Sequence, residues 1–393
     1  MQSTTQDWQE TNRSLFTREA NIIITFNRTD GRSPFISDTD IISFTHNKSG
    51  DVFNSALTQD TVTFTANNRN GILDYDETAE NDVYGNTKIY IDEAFRASDY
   101  ESYDSITGGT YYISGVKHDS DKRRYTFTAQ TVLGFMTEPY EDDRTSSAYY
   151  LALSVIQQAN ESKNVPIDNI VLSCDEELLD SVDIEVRASD KFSLAVVLQL
   201  VASAAGCILY VDRNGRTIHI EKPKDTTDHY VLAKKFLYSP LAIEYADRIG
   251  DIKLVSDHGS STTSTEKAGE KIGGRQIVTI PILTDYLQAG YLIDYYLALL
   301  QNGRKRFKAK CRFDPALDLF DVIVIPNDTN VDIAIITAIN ATYNGAWKAD
   351  ISAMVLSSEQ ITLDLRICDI ELLTIAQFEH LEIEKLNPEQ NGE

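Results

Sequence analysis

Short alternating runs of apolar and polar residues dominate the first third of the chain. They are rich in β-branched and aromatic residues, and turn-forming stretches separate them. Alternation with a period of two places successive side chains on opposite faces of a strand. Many short strands of this kind predict a barrel or a sandwich. The predicted strands are 22–26, 41–45, 61–66, 87–92, 110–116 and 124–129.

The pattern then changes to the spacing of amphipathic helices. Residues 146–160 carry apolar side chains on one helical face, whereas 193–206 is apolar almost all round, which predicts a well-buried helix. Ser193 suits the N-cap of that second helix, and Gly206 suits the position just past its end.

A hairpin is predicted directly after the second helix. Two alternating runs within 207–222 flank the turn-forming sequence DRNG at 212–215. Pro223 and the polar residues around it mark the end of this part of the chain. The helices and the hairpin together predict a small α/β unit at about 141–225.

A second strand-rich region follows the α/β unit. The Ser-, Thr- and Gly-rich stretch 258–274 predicts a flexible surface loop, and Thr284 can cap a helix that ends at Asn302. The Asn344-Gly345 pair is the strongest hairpin signal in the chain. The remaining predicted strands are 306–313, 321–326, 331–343 and 346–356.

These elements predict a mixed β-rich α+β chain, in which two β-barrel-like domains are separated by a small α/β domain and the termini are extended. The predicted parts are an N-terminal arm at 1–20, a first β-barrel domain at 21–140, the α/β domain at 141–225, a second β-barrel domain with an embedded helix at 226–360, and a C-terminal strand with an acidic tail at 361–393. Within the tail, 370–386 has only a partial apolar seam, which suits a partner-binding helix and a solvated terminal helix equally.

Composition narrows the function classes. The chain has 393 residues, 42% of them hydrophobic, which predicts a folded protein of two or three domains. It carries 36 basic and 60 acidic residues, a formal charge of −24. DNA would be repelled on average, so sequence-specific nucleic-acid binding is not expected, and the excess acid favours solubility.

No apolar run approaches the roughly 18 residues that span a bilayer, and the N-terminus lacks the apolar core of a secretory signal. We therefore expect the chain to be synthesised in the cytoplasm and to have no stable membrane association. Cys174, Cys207, Cys311 and Cys368 lie far apart, without a CxxC pair or histidines at zinc spacing, which predicts reduced thiols. Cys207 and Cys311 lie on apolar strand faces and are predicted to be core residues.

No catalytic, cofactor-binding or metal-binding residue is predicted. The chain lacks the GxGxxG, GxxxxGK[ST], HExxH and GxSxG motifs. Only His219 lies in a predicted strand, where a solvent-facing role is favoured over catalysis. The acidic stretch 74–82 lacks the glycine and closing glutamate of an EF-hand, so an acidic turn is favoured over calcium. The histidines are His46, His118, His219, His229, His258 and His380.

Four stretches, in this order along the chain, resemble the baseplate hub proteins of tailed bacteriophages. The first contains a T-x-T-F strand that ends in N-x-x-G, the second a strand followed by a short closing helix, and the third a helix with a hairpin. In the second, Gln130 stands where an Asp is frequent. The stretches are 39–74, 111–136, 192–220 and 306–326.

The fourth stretch contains the sequence DPALDLFD at 314–321. Asp314-Pro315 and Asp321 match the family pattern of D-P, a leucine-rich turn and G-D, but Phe320 replaces the usual glycine. If that glycine has a positive φ, a phenylalanine adopts it only at an energetic cost. We expect this segment to be a compact connector between two strands.

The resemblance implies a structural, non-enzymatic protein of the virion tail, present in the host cytoplasm during assembly. Hub proteins of this kind form homotrimers, in which two barrel domains per chain give a ring of six that matches the sixfold tail tube. The implied partners are the distal tail or tail tube protein, the tape-measure protein, and a tail fibre or spike protein. The acidity then suits a channel wall that DNA slides past, and with the chain ending at Glu393 no added lytic domain is expected.

Two alternatives stay open. A tail-associated lytic or carbohydrate-cleaving enzyme needs only a pair of carboxylates at a defined separation, and such pairs arise by chance among 60 acidic residues. A receptor-binding, β-rich adhesin is supported only by the tyrosine-rich stretch 98–112, where ordinary surface or core tyrosines are favoured.

Overall fold

The computed structural model describes most of the chain between residues 18 and 357. The described ranges are 18–28, 31–53, 56–74, 84–85, 87–97, 104–167, 169–223, 230–232, 234–258, 261–268, 274–284, 286–326 and 331–357. The predicted C-terminal strand at 361–367, the acidic run 370–386 and nearly all of the acidic stretch 74–82 lie outside them.

The first strand-rich region forms as its alternation predicts, and each of its six predicted strands is confirmed. A further short strand, β2, follows the first turn, and a 3₁₀ turn at Val132–Phe135 occupies the place of the short closing helix. The strands are β1 Arg18–Asn27, β2 Phe35–Ser37, β3 Ile41–Ser49, β4 Gln59–Asn67, β5 Lys88–Ala97, β6 Asp104–His118 and β7 Arg124–Gln130.

The middle region contains both predicted helices and the predicted hairpin. The Ser193 side chain accepts a hydrogen bond from Val196 N, and Gly206 ends the helix with a φ of 67°, as its sequence position predicts. The elements are β8 Arg144–Ser147, α1 Ala148–Glu161, β9 Val171–Cys174, α2 Glu176–Asp180, β10 Asp183–Val186, α3 Leu194–Ala205, β11 Ile208–Val211 and β12 Thr217–Glu221.

The second strand-rich region contains strands that the sequence did not predict. Three of them lie within 230–258. A fourth lies in the predicted loop 258–274, because the serines and threonines of Ser261–Ala268 pair with residues 251–258. The elements are β13 Tyr230–Val231, β14 Ala242–Tyr245, β15 Ile249–His258, β16 Ser261–Ala268, β17 Gly274–Thr279, α4 Tyr286–Asn302, β18 Lys305–Arg312, β19 Val322–Pro326, β20 Val331–Tyr343 and β21 Trp347–Ser357.

Strands from both strand-rich regions belong to one sheet. In the described residues its order is β14-β18-β21-β20-β3-β4-β7-β6-β5-β1-β2, with β19 also paired to β20 and β13 to β19. The two regions meet where β20 pairs antiparallel with β3, from Ala338 opposite Ser49 to Tyr343 opposite Phe44. Backbone hydrogen bonds therefore join segments that lie almost 300 residues apart in sequence.

The hydrophobic cores also combine distant segments. Phe64 and Phe127 of the first region share one apolar cluster with Phe307 and Trp347 of the second. Helix α4 instead packs into the core of the α/β unit, where Tyr296 Oη donates a hydrogen bond to Ser203 O at 2.9 Å. The mixed β-rich α+β class is confirmed, while the domain boundaries near residues 140, 225 and 360 stay predictions. In the described part of the chain, no helix is both long and apolar enough to cross a membrane.

Candidate functional site

The inward side chains of several neighbouring strands change from apolar to charged at the same end of the sheet. On β4 the inward positions run from Phe64 through Val62 to Asp60, and on β5 they run through Ile91 to Glu93. We call the polar group formed at this end, together with two residues that reach it from other segments, the junction cluster. Its members are His46, Lys48, Asp60, Glu93, Tyr111, Arg213 and Asp318.

Asp318 binds both cations of the junction cluster. Lys48 Nζ lies 2.6 Å from Asp318 Oδ1, and Arg213 Nε lies 2.9 Å from Asp318 Oδ2. Burial alone would raise the pKa of Asp318, but Lys48 and Arg213 overcome it and hold the pKa well below its usual range. Asp318 is therefore a carboxylate at every ordinary pH.

Arg213 links three segments of the chain. It comes from the turn between β11 and β12, and its Nη2 donates hydrogen bonds to the carbonyl oxygens of Pro315 and Leu317 at 2.7 and 2.9 Å. Its Nη1 donates to Thr107 O at 3.0 Å. The planar guanidinium thus fixes the connector 314–321 and strand β6 to the hairpin of the α/β unit.

The turn that carries Arg213 comes close to the sheet. Gly215, at the end of this turn, has a φ of 71°, and a Cβ there would lie 2.9 Å from the backbone oxygen of Thr110. Glycine is suited to both demands, because it has no Cβ and adopts a positive φ without strain. The turn sequence DRNG therefore supplies the arginine and the close approach together.

His46, Asp60 and Tyr111 form a hydrogen-bonded set at the inner end of the junction cluster. His46 Nε2 lies 2.8 Å from Asp60 Oδ1 and 2.7 Å from Tyr111 Oη. Burial lowers the pKa of His46, although neighbouring Asp60 opposes the shift. The His46 side chain is only 5% exposed, so a substrate could not reach it without opening the sheet. The set is suited to structure rather than to acid–base catalysis.

Glu93 is the unusual member of the junction cluster. It is 2% exposed, and its Oε1 has no hydrogen-bond partner among the described residues. Burial raises the pKa of Glu93 to about 7, although Arg213 and Lys48 oppose the shift. A carboxyl group in this environment exchanges its proton near neutral pH.

The connector 314–321 is compact and not helical, as expected. Asp314 Oδ1 accepts a hydrogen bond from Ala316 N at 2.9 Å, and Asp321 Oδ2 accepts one from Asp318 N at 2.7 Å. Leu317 and Leu319 are buried. The Asx turn at Asp314 and the hydrogen bond from Asp318 N to Asp321 therefore shape the connector that brings Asp318 to Lys48 and Arg213.

Phe320 has the positive φ that the glycine of the family pattern suggested. Its φ is 63°, its side chain is 1% exposed, and its backbone N donates to Ile336 O at 2.9 Å. A Cβ on Gly50 would lie 2.5 Å from Phe320 Cζ, so the missing side chain at residue 50 makes room for the ring. The ring packs within this chain, and buried contacts offset part of the backbone strain.

The other residues considered from sequence do not join the junction cluster. Cys207 and Cys311 are buried free thiols, as predicted, and Cys174 is a half-buried one. His219 lies in β12, but its ring stacks on Tyr210 at 4.8 Å and its side chain is 20% exposed, so it is half-buried rather than solvent-facing. Cys368, His229 and His380 lie outside the described residues.

Sequence reasoning missed His46 because the predicted strand ended at residue 45. Strand β3 continues to Ser49, and His118 and His258 also lie in strands, so the expectation that only His219 does is wrong. The signal was present, because Phe44, His46 and Lys48 keep the inward period of two. Among the described residues, no group of three His, Cys, Asp or Glu side chains is arranged to hold a metal ion.

The opposite face of the sheet has a different chemistry. Along β3, β4, β7 and β20 a band of its side chains consists of hydroxyls and amides, all at least partly exposed, and the charged Arg124 lies at the end of this band, opposite Asn67. We call this surface the hydroxyl face. It consists of Thr45, Asn47, Thr61, Thr63, Thr65, Thr126, Thr128, Gln130, Asn340 and Thr342.

Charged side chains border the hydroxyl face on both sides. Lys117 of β6 lies opposite Thr126, and beyond β20 Lys308, Lys310, Lys348 and Asp350 project from β18 and β21.

No protein-family model and no curated protein matches the sequence. Similarity to known proteins is therefore seen in the fold.

Solved structures of phage-type tail proteins share this fold. The tail protein from Neisseria meningitidis MC58 superimposes with a TM-score of 0.58 at 8% identity, over 85% of this chain and 96% of that one. The 43 kDa tail protein of prophage MuSo2 from Shewanella oneidensis gives 0.55 at 12% identity, over 86% and 98%.

Prophage tail protein gp18 from Listeria monocytogenes EGD-e gives a TM-score of 0.54 at 10% identity, over 92% of this chain and 99% of that one. These matches span nearly the whole of each known protein. The chain therefore has the fold of phage tail proteins, as its resemblance to the baseplate hub family implies.

Proposed function

We propose that this chain is a structural baseplate hub of a phage-type tail. In this role it forms a homotrimer that joins the tail tube or distal tail protein to a central fibre or spike, and it encloses a channel for DNA. The observation that carries the proposal is the end-to-end match to tail proteins, which leaves at most 4% of each known chain uncovered. The hub would lie in the virion tail after assembly in the host cytoplasm.

The joined sheet supports a trimer that meets a sixfold tube. Strands β3 and β20 place the two strand-rich regions side by side in one chain, so each chain offers two sheet halves. Three chains then offer six halves around an axis, and closed rotational symmetry makes the three contacts equivalent. The tape-measure protein would end at the opening of this ring.

The hydroxyl face is the surface best suited to the channel wall. Its threonine, asparagine and glutamine side chains offer DNA no cations, so passing phosphates gain no ion pairs and release no counterions. The net charge of −24 suggested an acidic wall, but the geometry favours a neutral one. DNA would pass this surface because nothing on it binds phosphate.

A non-enzymatic role also agrees with the burial of the reactive groups. His46 and Glu93, whose pKa values are shifted, lie inside the junction cluster and offer no surface to a cell-wall sugar. The adhesin alternative gains no support, because Tyr111 and Tyr112 of the tyrosine-rich stretch are each 1% exposed, and 98–103 lies outside the described residues.

Light scattering on the purified full chain tests the proposal. We expect a mass three times that of one chain, either alone or on addition of the tail tube or distal tail protein encoded beside it. A chain that stays monomeric at all concentrations, alone and with those proteins, would contradict the hub. Release of sugar or peptide from host cell walls by the same preparation would favour the lytic enzyme instead.

A further inference from the structure

Glu93 is sealed inside the protein without a hydrogen-bond donor for one of its oxygens. It lies on β5 next to Gly108 of β6, where a Cβ would come within 2.8 Å of Glu93 Cδ. The residue is 2% exposed, and its Oε1 accepts no hydrogen bond from any described residue. An ionised carboxylate at this place lacks the donors that normally replace water.

The charges that act on Glu93 come from three other segments, namely β3, the turn between β11 and β12, and the connector 314–321. Arg213 and Lys48 attract an ionised Glu93, while Asp318 and Asp314 of the connector repel it. Tyr111, on neighbouring β6, is also close enough for Glu93 to raise its pKa. The two cations are already engaged, because both lie within 2.9 Å of Asp318.

We propose that Glu93 is a proton-dependent latch on the connector 314–321. With Glu93 protonated, the positive charges of Lys48 and Arg213 are balanced by the negative charges of Asp60 and Asp318. The connector then keeps its hydrogen bonds to Arg213. With Glu93 ionised, a buried negative charge competes with Asp318 for Arg213, and the hydrogen bonds from Arg213 to Pro315 and Leu317 weaken. The latch is a property of the folded chain and does not depend on the proposed tail role.

The direction of the pH effect follows from linkage. The pKa of Glu93 is raised from 4.5 to about 7, so the folded chain holds a proton that the opened junction releases. The protonated form therefore contributes stability fully below about pH 4.5, and this contribution is lost as pH rises through about 7. Opening of the connector should become more frequent over that window.

Hydrogen exchange measured by mass spectrometry on the full chain tests the latch. Rates are divided by the intrinsic exchange rate at each pH, so that only opening is compared. In the wild type we expect protection of peptides from 314–321 and 212–215 to fall about tenfold between about pH 6 and about pH 8. In Glu93→Gln, which keeps the shape and cannot ionise, protection should stay constant.

Glu244→Gln is the matched control, because Glu244 is an exposed carboxylate on β14 that pairs with Lys308 at 2.8 Å. This variant should keep the wild-type pH dependence. The latch is overturned if wild-type protection does not vary with pH, if the variation persists in Glu93→Gln, or if it is confined to β5 and β6. Should Glu93→Gln fail to fold, the wild-type profile alone decides, since a flat profile in 314–321 excludes the latch.

Discussion

The two ends of the inward sheet face hold the protein together by different means. At one end Phe26, Phe64 and Phe127 pack with ring centroids 5.0 to 6.1 Å apart, and these three side chains carry no polar atom that needs a partner. At the other end Asp318 needs both Lys48 and Arg213. Apolar packing tolerates exchanges of similar volume, whereas a buried ion pair is costly to leave half-made. The charged end thus fixes how the segments meet.

The largest loss of stability is expected when Arg213 is removed from the charged end. Arg213→Ala removes the hydrogen bonds to Asp318, Pro315, Leu317 and Thr107 and leaves a carboxylate without one of its cations. We expect the free energy of unfolding in urea to fall by about 3 kcal/mol.

Arg123→Ala is the control for that experiment. The Arg123 side chain is 80% exposed and lies 3.8 Å from Asp121, so its loss should cost less than about 0.5 kcal/mol. Equal losses in the free energy of unfolding for the two substitutions would show that Arg213 stabilises the fold no more than an exposed arginine does.

The two ends should also differ in how their contributions to stability change in acid. Lys48 and Arg213 lower the pKa of Asp318, so this carboxylate stabilises the fold above about pH 4, and the contribution is lost as pH falls. Asp318→Asn should cost about 2 kcal/mol near neutral pH. The difference from wild type should shrink in acid, and a difference that stays constant down to about pH 2 would contradict the assignment.

Gly50 and Phe320 test how tightly the connector is packed. Gly50→Ala puts a methyl group into the space of the Phe320 ring and should cost about 1.5 kcal/mol. In a Phe320→Gly background the same change should cost less, because the ring is gone and only the contact with Leu319 Cδ2, 2.9 Å from the added Cβ, is left of the three nearest contacts. A double-mutant cycle in denaturant measures this coupling, and additive effects would mean that the two residues do not share space.

The smallest effect is expected at the apolar end. Ile91 lies two residues before Glu93 on the same inward face, is fully buried, and belongs to the main core. Ile91→Val removes one methylene and should cost about 1 kcal/mol, with the same value at every pH. A pH-dependent cost would show that the two ends are coupled rather than distinct.

Sequence periodicity predicted the local elements well. The strands of the first region and helices α1, α3 and α4 follow from spacing, and Ser193 and Gly206 follow from capping chemistry. These features depend on neighbours within a few residues. Strand β16 was missed because its pairing with β15, and not its polar composition, makes it a strand.

The junction cluster could not be predicted, for two physical reasons. Charged residues at inward positions, such as Lys48, look like strand ends when alternation is counted from the sequence. Their partners also come from distant segments, since Asp318 is 270 residues from Lys48. Only the pairing of β20 with β3 brings the connector to the sheet. The DP and DRNG turns could be recognised in the sequence, but the hydrogen bonds by which Arg213 joins them could not be predicted.

Electron cryomicroscopy of the full chain assembled with its tail partners is the most direct test of the hub proposal. We expect a ring of three chains with an axial channel, lined by the hydroxyl face at residues such as Thr63, Thr128 and Asn340. A particle without threefold symmetry, or a ring in which the hydroxyl face points away from the channel, would contradict it.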